Sequence, residues 1–474
     1  MFLSFQNEYP KGNTETEFLK NVVKVINNFE GSQERKKIID TKSYFKGHNV
    51  FINDYKKMIW SDEAQHLIEN IYAPNFKTSY NFLGNYASQI VNSLYGETPQ
   101  IDGLEEKTSK KMGYAGQSAT LEALLCGYSF TYEGLNDKFV VFDTENCLAF
   151  TDDETDELVR FIRFWHRTIK DKDILFFEIY DDKGITTYRN DGVQTTLFKE
   201  LQGYKAIIRQ SALSNEVDIQ NIGKLPIAVH KANKDLESIF TDNVKFKIDL
   251  IDLVESGLVN NIEEFSDVWM TINVPSATPE QVQQIKNTAR RAKSVVFAGT
   301  DDKNSVGFQT MEIPYQARQT TVNMLKEELV EDTGVIDFKE IKGTSTATEI
   351  NARTYKLEQK VSNIEWFADE YFERLVELWQ AYNNKSFDIN ITFVKLFINN
   401  NTEILNNAVS LYGKVSTKAF LQMLKQANVI DDVESEMKEL EKESVNKFDV
   451  GDIYADFTGT QGSRQTTEQG TQNE

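Results

Sequence analysis

The sequence predicts an α+β fold, mainly helical, with a β-meander set between helical segments. Three observations lead there. Apolar residues recur at helical spacing through the first hundred residues and again from Asp242 onward. Between them, from about 130 to 190, lie short β-branched and aromatic runs separated by turn residues. At 474 residues the chain also exceeds what one hydrophobic core usually organises, so two to four domains or one elongated multi-part subunit are expected.

Taken in order, Phe18, Val22, Val23 and Ile26 predict a helix over Glu15–Asn28, and Asp54–Asn70 and Thr78–Tyr95 continue the pattern. Gly96–Gly103 reads as a breaker. Thr108–Leu125 is a further helix, ending at Gly127 as a left-handed C-terminal cap. Strands are predicted at Phe130–Tyr132, Phe139–Phe142, Cys147–Thr151, Leu158–Arg167, Ile174–Tyr180 and Ile185–Arg189. Turns fall at Glu133-Gly134, Asp182-Lys183-Gly184 and Asp191-Gly192, and Leu225–Val229 adds one more strand.

The period then changes. Val244, Ile248, Ile251, Val254, Leu258, Ile262 and Phe265 step by three or four, which predicts one long amphipathic helix over Asp242–Phe265. Residues 268–312 shorten into an α/β insertion: strands in Val268–Val274, Ser294–Gly299 and Val306–Ile313, and a helix over Pro279–Lys293. Pro314 opens a second helix, with Val322, Leu325 and Leu329 on one face, closing near Gly334. A loop runs to Thr348, and the longest helix, Ala347–Asn383, would extend roughly 55 Å. A strand at Phe387–Val394 precedes helices at Thr402–Leu411, Thr417–Gln426 and Val433–Glu443, with Ser416 and Asp431 as N-caps. The Gln-, Thr- and Gly-rich end beyond Lys447 is expected to be disordered. No internal repeat is visible.

Composition narrows the function. With 52 Lys+Arg against 73 Asp+Glu the net charge is −21, which argues against a general grip on phosphates but not against a surface past which DNA slides. Hydrophobic residues at 40% and charged ones at 26% suit a soluble folded chain. There is no run of about 18 apolar residues and no basic-then-apolar leader, so an intracellular, unanchored protein is expected. Cys126 and Cys147 are too few for a disulfide framework or a Cys-based zinc site and read as buried reduced thiols. No phosphate-binding glycine motif or His-Glu-x-x-His occurs, and His48, His66, His166 and His230 are scattered. No cofactor and no metal are expected, and catalysis by a dispersed carboxylate pair is the weaker hypothesis.

The order of parts, together with Ser118–Gly134 (SATLEALLCGYSFTYEG), Lys224–Asn233 (KLPIAVHKAN), Asp242–Ile272 and Gly343–Trp379, resembles a tailed-phage portal protein. More narrowly it is similar to the portal family of siphovirus-type phages infecting Gram-positive bacteria. Asn261–Asp267 matches the family's N-x-E-[DE]-F-x-D-like stem-helix ending, and a Gly/Ser-rich loop opens the long helix. The resemblance implies an elongated subunit: wing (1–234), first stem helix (235–267), clip (268–312), second stem helix (313–333), tunnel loop (334–347), a long helix and strand returning to the wing (348–395), crown (396–446) and tail (447–474). It also implies a virion protein, made in the host bacterial cytoplasm, that forms a ring of about twelve copies at one capsid vertex. Double-stranded DNA would be packaged and ejected through the channel. The implied partners are the terminase large subunit, a head-completion or adaptor protein, and the major capsid and scaffold proteins, with no membrane. Other structural phage head or tail components, or a carboxylate-based hydrolase, are the alternatives.

Candidate site residues follow from this resemblance. The tunnel loop carries Gly334, Asp337, Lys339, Glu340, Lys342 and Gly343, as a DNA contact or as a solvated connection. Asp249, Asp252, Glu255, Glu327, Glu328 and Glu331 are candidates to line the channel, or else a solvated helix face. Lys245, Lys247, Arg318 and Lys326 could bridge subunits or touch phosphates. In the clip, Lys286, Arg290, Arg291 and Lys293 form a basic cluster, either a solvated face or a contact with a neighbouring subunit, head-completion protein or terminase. Tyr355, Trp366, Phe367, Phe372 and Trp379 are expected to pack in a core.

Overall fold

The computed structural model describes residues 5–6, 9–61, 64–71, 73–134, 137–152, 154, 157–210, 215–220, 225–265, 269–273, 278, 280, 294–297, 305–309, 315–336, 347–396, 408–426, 429–430 and 433–444. The fold mixes helix and sheet, and the chain divides into two compact units, 1–340 with 353–397 and 341–352 with 398–474.

The larger unit begins with strand β1 (Phe5–Gln6) and helices α1 (Glu15–Glu30) and α2 (Gln33–Phe45). Thr14 caps α1 by accepting from Glu17 N at 3.2 Å while Glu17 reaches back to Asn13 N, and Ser32 caps α2 through Arg35 N. Helix α2 went unrecognised in the sequence, where its Lys-rich surface masks Ile38, Thr41 and Tyr44 on the buried side. A short helix, α3 (Val50–Asp54), follows.

The helix expected over Asp54–Asn70 is instead a two-stranded ribbon, β2 (Met58–Ser61) and β3 (His66–Glu69). Ser61 explains the difference: its hydroxyl accepts from Ala64 N at 3.1 Å, its carbonyl accepts from Gln65 N at 2.9 Å, and Gln65 takes a positive φ of 55°. That local turn outcompetes a helical apolar spacing that is only partial.

Helix α4 (Phe82–Leu94) leads into Gly96–Gly103, where the expected breaker contains a short strand, β4 (Gln100–Ile101). Helix α5 (Glu106–Cys126) ends at Gly127, in the left-handed conformation at φ 93°, as the sequence predicts. A Cβ there would sit 2.0 Å from Leu236 O, so glycine is required on both conformational and steric grounds.

The meander is longer than predicted and splits in two. Strands β7 (Cys147–Thr151), β8 (Leu158–Ile169), β9 (Lys172–Tyr180), β10 (Ile185–Asn190) and β11 (Thr195–Gln202) join β1 in one sheet of order β1-β7-β8-β9-β10-β11. Strand β14 (Ile227–Lys231) pairs instead with β5 (Tyr128–Gly134), and β5 with β6 (Lys138–Phe142). Glu133-Gly134 therefore lies within a strand and not in a turn. A separate ribbon pairs β12 (Lys205–Gln210) with β13 (Asn215–Gln220).

The pleat assigns alternate residues to two cores. Leu148, Phe150, Ile162 and Phe164 pack on the α1 stripe Leu19, Val22, Ile26 and Phe29. Cys147, Ala149 and Phe161 face the other way, onto Tyr128, Phe130, Phe142 and Ile227. Both cysteines are free and buried.

Helix α6 (Asp242–Phe265) has the predicted bounds. After it, β15 (Trp269–Asn273) pairs parallel with β16 (Ser294–Phe297) and antiparallel with β17 (Ser305–Gln309). Of the helix expected over 279–293, Glu280 is helical and the rest lies outside the described residues. Helices α7 (Tyr315–Thr333) and α8 (Ala347–Asn383) follow, again close to expectation. Of the strand expected at Phe387–Val394 only β18 (Ile391–Thr392) forms, paired with β4. Phe372 and Trp379 are buried in the core as expected, whereas Tyr355 and Trp366 point outward.

In the smaller unit, helices α9 (Thr417–Gln426) and α10 (Val433–Ser444) bury Leu421 and Val433, and Tyr412 meets Phe420 edge-on at 4.9 Å. Ser416 caps α9 through Ala419 N at 3.2 Å. The expected cap Asp431 and the tail after Lys447 are outside the described residues.

Helices α5 and α8 meet at a single close approach. A Cβ on Gly116 would lie 2.1 Å from Cζ of Phe372, whose ring stacks edge-on against Phe393 and Tyr371. Glycine in a helix interior ordinarily costs about 1 kcal/mol relative to alanine, so here the clash decides the sign. Gly116→Ala is expected to destabilise by about 1–3 kcal/mol and Phe372→Ala by about 3–5 kcal/mol. In the double variant the glycine substitution should become neutral or stabilising, read as non-additive urea-denaturation midpoints.

Candidate functional site

Helices α6 and α7 run antiparallel. Lys247 Nζ lies 2.8 Å from Asp332 Oδ2 and 3.0 Å from Glu328 Oε2, while Lys326 Nζ lies 2.7 Å from Glu255 Oε1, so partners fall along one helix as they rise along the other. Val244, Ile248 and Ile251 on α6 and Val322, Leu325 and Leu329 on α7 are buried. Each partly exposed ion pair contributes only about 0–1 kcal/mol; the pairs fix register on an interface that apolar burial stabilises. The hydrogen bond from Lys247 holds the Asp332 carboxyl below its usual range. Lys326 also sits 4.6 Å from the Tyr80 ring centroid.

The second face of α6 is polar and buried. Tyr44 Oη donates to Asp249 Oδ1 at 2.5 Å and Lys245 Nζ to Asp249 Oδ2 at 2.7 Å. Asn49 Nδ2 donates to Asp252 Oδ2 at 2.6 Å and Tyr80 N to Asp252 Oδ1 at 2.7 Å. Further along, Ser256 Oγ accepts from Thr78 N at 2.9 Å, and Asn260 takes Phe76 N at 2.6 Å and donates to Phe76 O at 3.0 Å. Residues 252, 256 and 260 are four apart on a helix, rising about 6 Å each. Residues 80, 78 and 76 are two apart on an extended chain, which advances about 6.6 Å per pair. The two repeats match, and the 76–80 segment is bonded along the helix amide by amide.

Asp252 is fully buried, and burial pushes its pKa up to about 6 against the hydrogen bonds from Asn49 and Tyr80 N, which oppose the rise. Asp249 is 8% exposed. Of the acids expected to line a channel, these two face into their own subunit. Glu255 and Glu328 are paired with lysines, Glu331 lies 3.8 Å from Lys356, and Glu327 is exposed. Lys245, Lys247 and Lys326, for which the sequence left a neighbouring subunit or phosphate open, each hold a carboxylate of their own chain.

At the end of α7, Gly334 adopts φ 67° and its N–H donates to Val330 O at 2.8 Å, making it a helix cap. A Cβ there would meet Lys356 Cβ at 2.9 Å. Val335 and Ile336 are buried, and Gln89 brackets Ile336: Nε2 donates to its carbonyl and Oε1 accepts from its N–H, both at 2.9 Å. Lys356 Nζ donates to Glu331 O at 3.3 Å and Lys360 Nζ to Tyr86 Oη at 2.9 Å, setting two cations near the negative end of α7. Asp337, Lys339, Glu340, Lys342 and Gly343, and the cluster Lys286, Arg290, Arg291 and Lys293, lie outside the described residues.

The histidines do not converge. His230 is buried with Nε2 2.9 Å from Thr120 Oγ1, and burial lowers its pKa to about 4, so it stays neutral. His166 lies between Glu30 and Asp173 at the surface. Among the described residues no group of three or more His, Cys, Asp or Glu is arranged to hold a metal ion, and no helix is long and apolar enough to cross a membrane. Sequence reasoning missed Asn49, Gln89, Ser256 and Asn260. The signal for the last two was present, because Asp252, Ser256 and Asn260 repeat every four residues beside an apolar stripe.

The buried acid has a pH signature. Its folded pKa lies above the ordinary value near 3.9, so the folded state holds the proton more tightly. The stability this contributes is fully present below about pH 4 and is lost as pH rises through about 6. Asp252→Asn should flatten the dependence of the melting temperature on pH between 4 and 6. Asp252→Ala, which removes the acceptor of Asn49 Nδ2 and Tyr80 N, should cost about 1–3 kcal/mol at low pH and less as pH rises through about 6.

A family model described as phage portal protein, SPP1 Gp6-like, matches residues 28–447. No curated protein matches the chain. The match takes in both core-forming sheets except β1, the paired helices α6 and α7 and the long helix α8. The chain therefore belongs to the SPP1 Gp6-like family of phage portal proteins, and is a structural component of the phage capsid, not an enzyme.

Proposed function

We propose that this portal chain forms a ring of about twelve copies through which double-stranded DNA is packaged and ejected. In this reading α6 and α7 are the stem, β15–β17 belong to a clip at 268–312, residues 334–347 form the tunnel loop, 1–234 with 348–395 form the wing and 396–446 the crown. The terminase large subunit and a head-completion protein dock at the clip, where Lys286, Arg290, Arg291 and Lys293 meet them, and the major capsid and scaffold proteins surround the wing.

The observation that carries the reading is the charge state of the helix pair. Lys245, Lys247 and Lys326 are each held by carboxylates of the same chain, which leaves the described surface of α6 and α7 predominantly acidic, with Arg318 as the remaining cation that a moving phosphate backbone could meet. Glu327, with the partly compensated Glu255, Glu328 and Glu331, supplies the lumen charge. Asp249 and Asp252 serve as internal anchors. The loop, with Lys339 and Lys342, makes the closest contact to DNA, and its root is fixed by Gly334 and Gln89.

Twelve copies of the 54.4 kDa chain amount to about 650 kDa, so light scattering should give that mass and negative-stain images a ring with a central hole. Stable monomers at high concentration would overturn the assembly. The paired substitution Lys339→Glu with Lys342→Glu should leave ring mass unchanged while impairing DNA packaging or retention. Normal packaging by such rings would remove the loop from the DNA path.

A further inference from the structure

The β2–β3 ribbon is the exposed apolar feature that the portal reading leaves without a role. In register, Trp60 faces Leu67, Ile59 faces Ile68 and Met58 faces Glu69. Residues directly opposite share a face, so Met58, Trp60 and Leu67 form one apolar side. Trp60 is 55% exposed and Leu67 56%, and neither strand contains a buried residue. Just beyond, Ile71 is 77% exposed and Phe76 56%. An isolated two-stranded ribbon is marginal in water, yet this one has a fixed root. Asn75 Nδ2 reaches Tyr55 O at 3.4 Å, Lys77 Nζ donates to Asn53 O, and the 76–80 segment is bonded along α6.

We propose that the Met58–Trp60–Leu67 face is an intersubunit contact that docks on the neighbouring copy of this chain in the ring, an inference that rests on the ring assembly of the portal reading. Three observations favour a second copy as occupant. Portal proteins are ring-forming, so each chain has a neighbour on either side, and a cyclic ring closes through two unlike surfaces, one of which can be a projecting ribbon. Copies carrying −21 each repel one another, so a contact between them requires a patch of little net charge. The strand face meets that condition, although Asp62 and Glu63 follow in the connecting segment: Met58–Ser61 carries no charge, and Glu69 is paired with Lys56 at 2.8 Å. A tryptophan flanked by aliphatic groups on a rooted support also has the composition of an interface anchor.

The test uses the full-length chain. Trp60→Thr combined with Leu67→Thr replaces two side chains that are more than half exposed with polar residues that suit a strand, so circular dichroism and the melting temperature of the monomer should change little. The fraction of protein migrating as rings in light scattering should fall at least tenfold. In parallel, Leu67→Cys labelled with a benzophenone maleimide reports the occupant directly, because Cys126 and Cys147 are buried. Irradiation of assembled rings should give a ladder of covalent multimers, with the label mapped by mass spectrometry to a peptide of the adjacent copy. Rings formed undiminished by the double variant, or irradiated rings that yield only monomer, would overturn the inference while leaving the ring intact. Cross-links formed only to another head protein in phage-infected extracts would overturn it too, by naming a different occupant. A wild-type chain that stays monomeric defeats the ring reading itself, and the inference with it.

Discussion

The numerical match between a helix and an extended chain governs the centre of this subunit. Four residues of α6 rise nearly as far as two residues of an extended segment, and Asp252, Ser256 and Asn260 use that coincidence to accept the amides of Tyr80, Thr78 and Phe76 in turn. The segment itself is only partly covered, and its amides that face α6 would otherwise be turned away from water without a partner. Three of them are satisfied by side chains of a helix that is itself internally bonded. The opposite consequence is that α6 cannot rotate: a turn of one residue would carry all three acceptors off the segment at once. Its register against α7 is then set from the same frame, because the face bearing Lys247 and Glu255 is whatever remains once the polar face has been fixed.

Electrostatics follows from that geometry. An amphipathic helix with many carboxylates could present any of them outward, but the segment bonding turns Asp249 and Asp252 inward and leaves Glu255 beside Lys326. The buried acid is tolerated by two devices, two donors aimed at it and a pKa raised to about 6, so that a modest fall in pH neutralises it. The lysines, meanwhile, are held by local carboxylates. Apart from Arg318, the helix pair thus contributes negative surface and keeps its lysines paired, a property that arises from how charges pair within the chain and not from net charge alone. For the proposed conduit this distinction matters, since a chain of net −21 with free lysines would still offer binding wells to phosphate.

Long periodic elements were legible because burial of one face requires the period to be written in the sequence. The bounds of α6 and α8 agree with those read from Val244–Phe265 and Ile350–Trp379, and the left-handed cap at Gly127 is a purely local requirement. The 58–69 ribbon was not legible, because none of its described residues is fully buried and so none carries a period tied to a core; Ser61 and Gln65 decided it locally. Helix α2 was missed for a related reason, as Gln33–Phe45 carries lysines around a narrow buried strip. Among the channel acids, the sequence could name carboxylates on a helix but not their azimuth, which depends on residues 44–80, far away in the chain. Gln89 left no signal at all: its partner is a backbone amide, and any residue can supply one.

That last interaction shows how the exit of a chain from a helix can be anchored without adding charge. Gln89 holds Ile336 by donating to its carbonyl and accepting from its amide, so two hydrogen bonds fix the point where the chain leaves α7 without introducing charge. An arginine or lysine could hold the carbonyl as firmly, but would place a permanent cation at the root of a segment that already carries Lys339 and Lys342. The cations that do approach, Lys356 and Lys360, are directed at the carbonyl end of α7 and at Tyr86, where the helix dipole and burial engage them; burial in fact lowers the Lys360 pKa. The left-handed turn at Gly334, packed on Lys356, sets the direction of exit, and the neutral amide pair sets its position. Placement and charge where the chain leaves α7 are therefore controlled by separate groups, a neutral amide pair for position and two lysines directed at the helix end and at Tyr86.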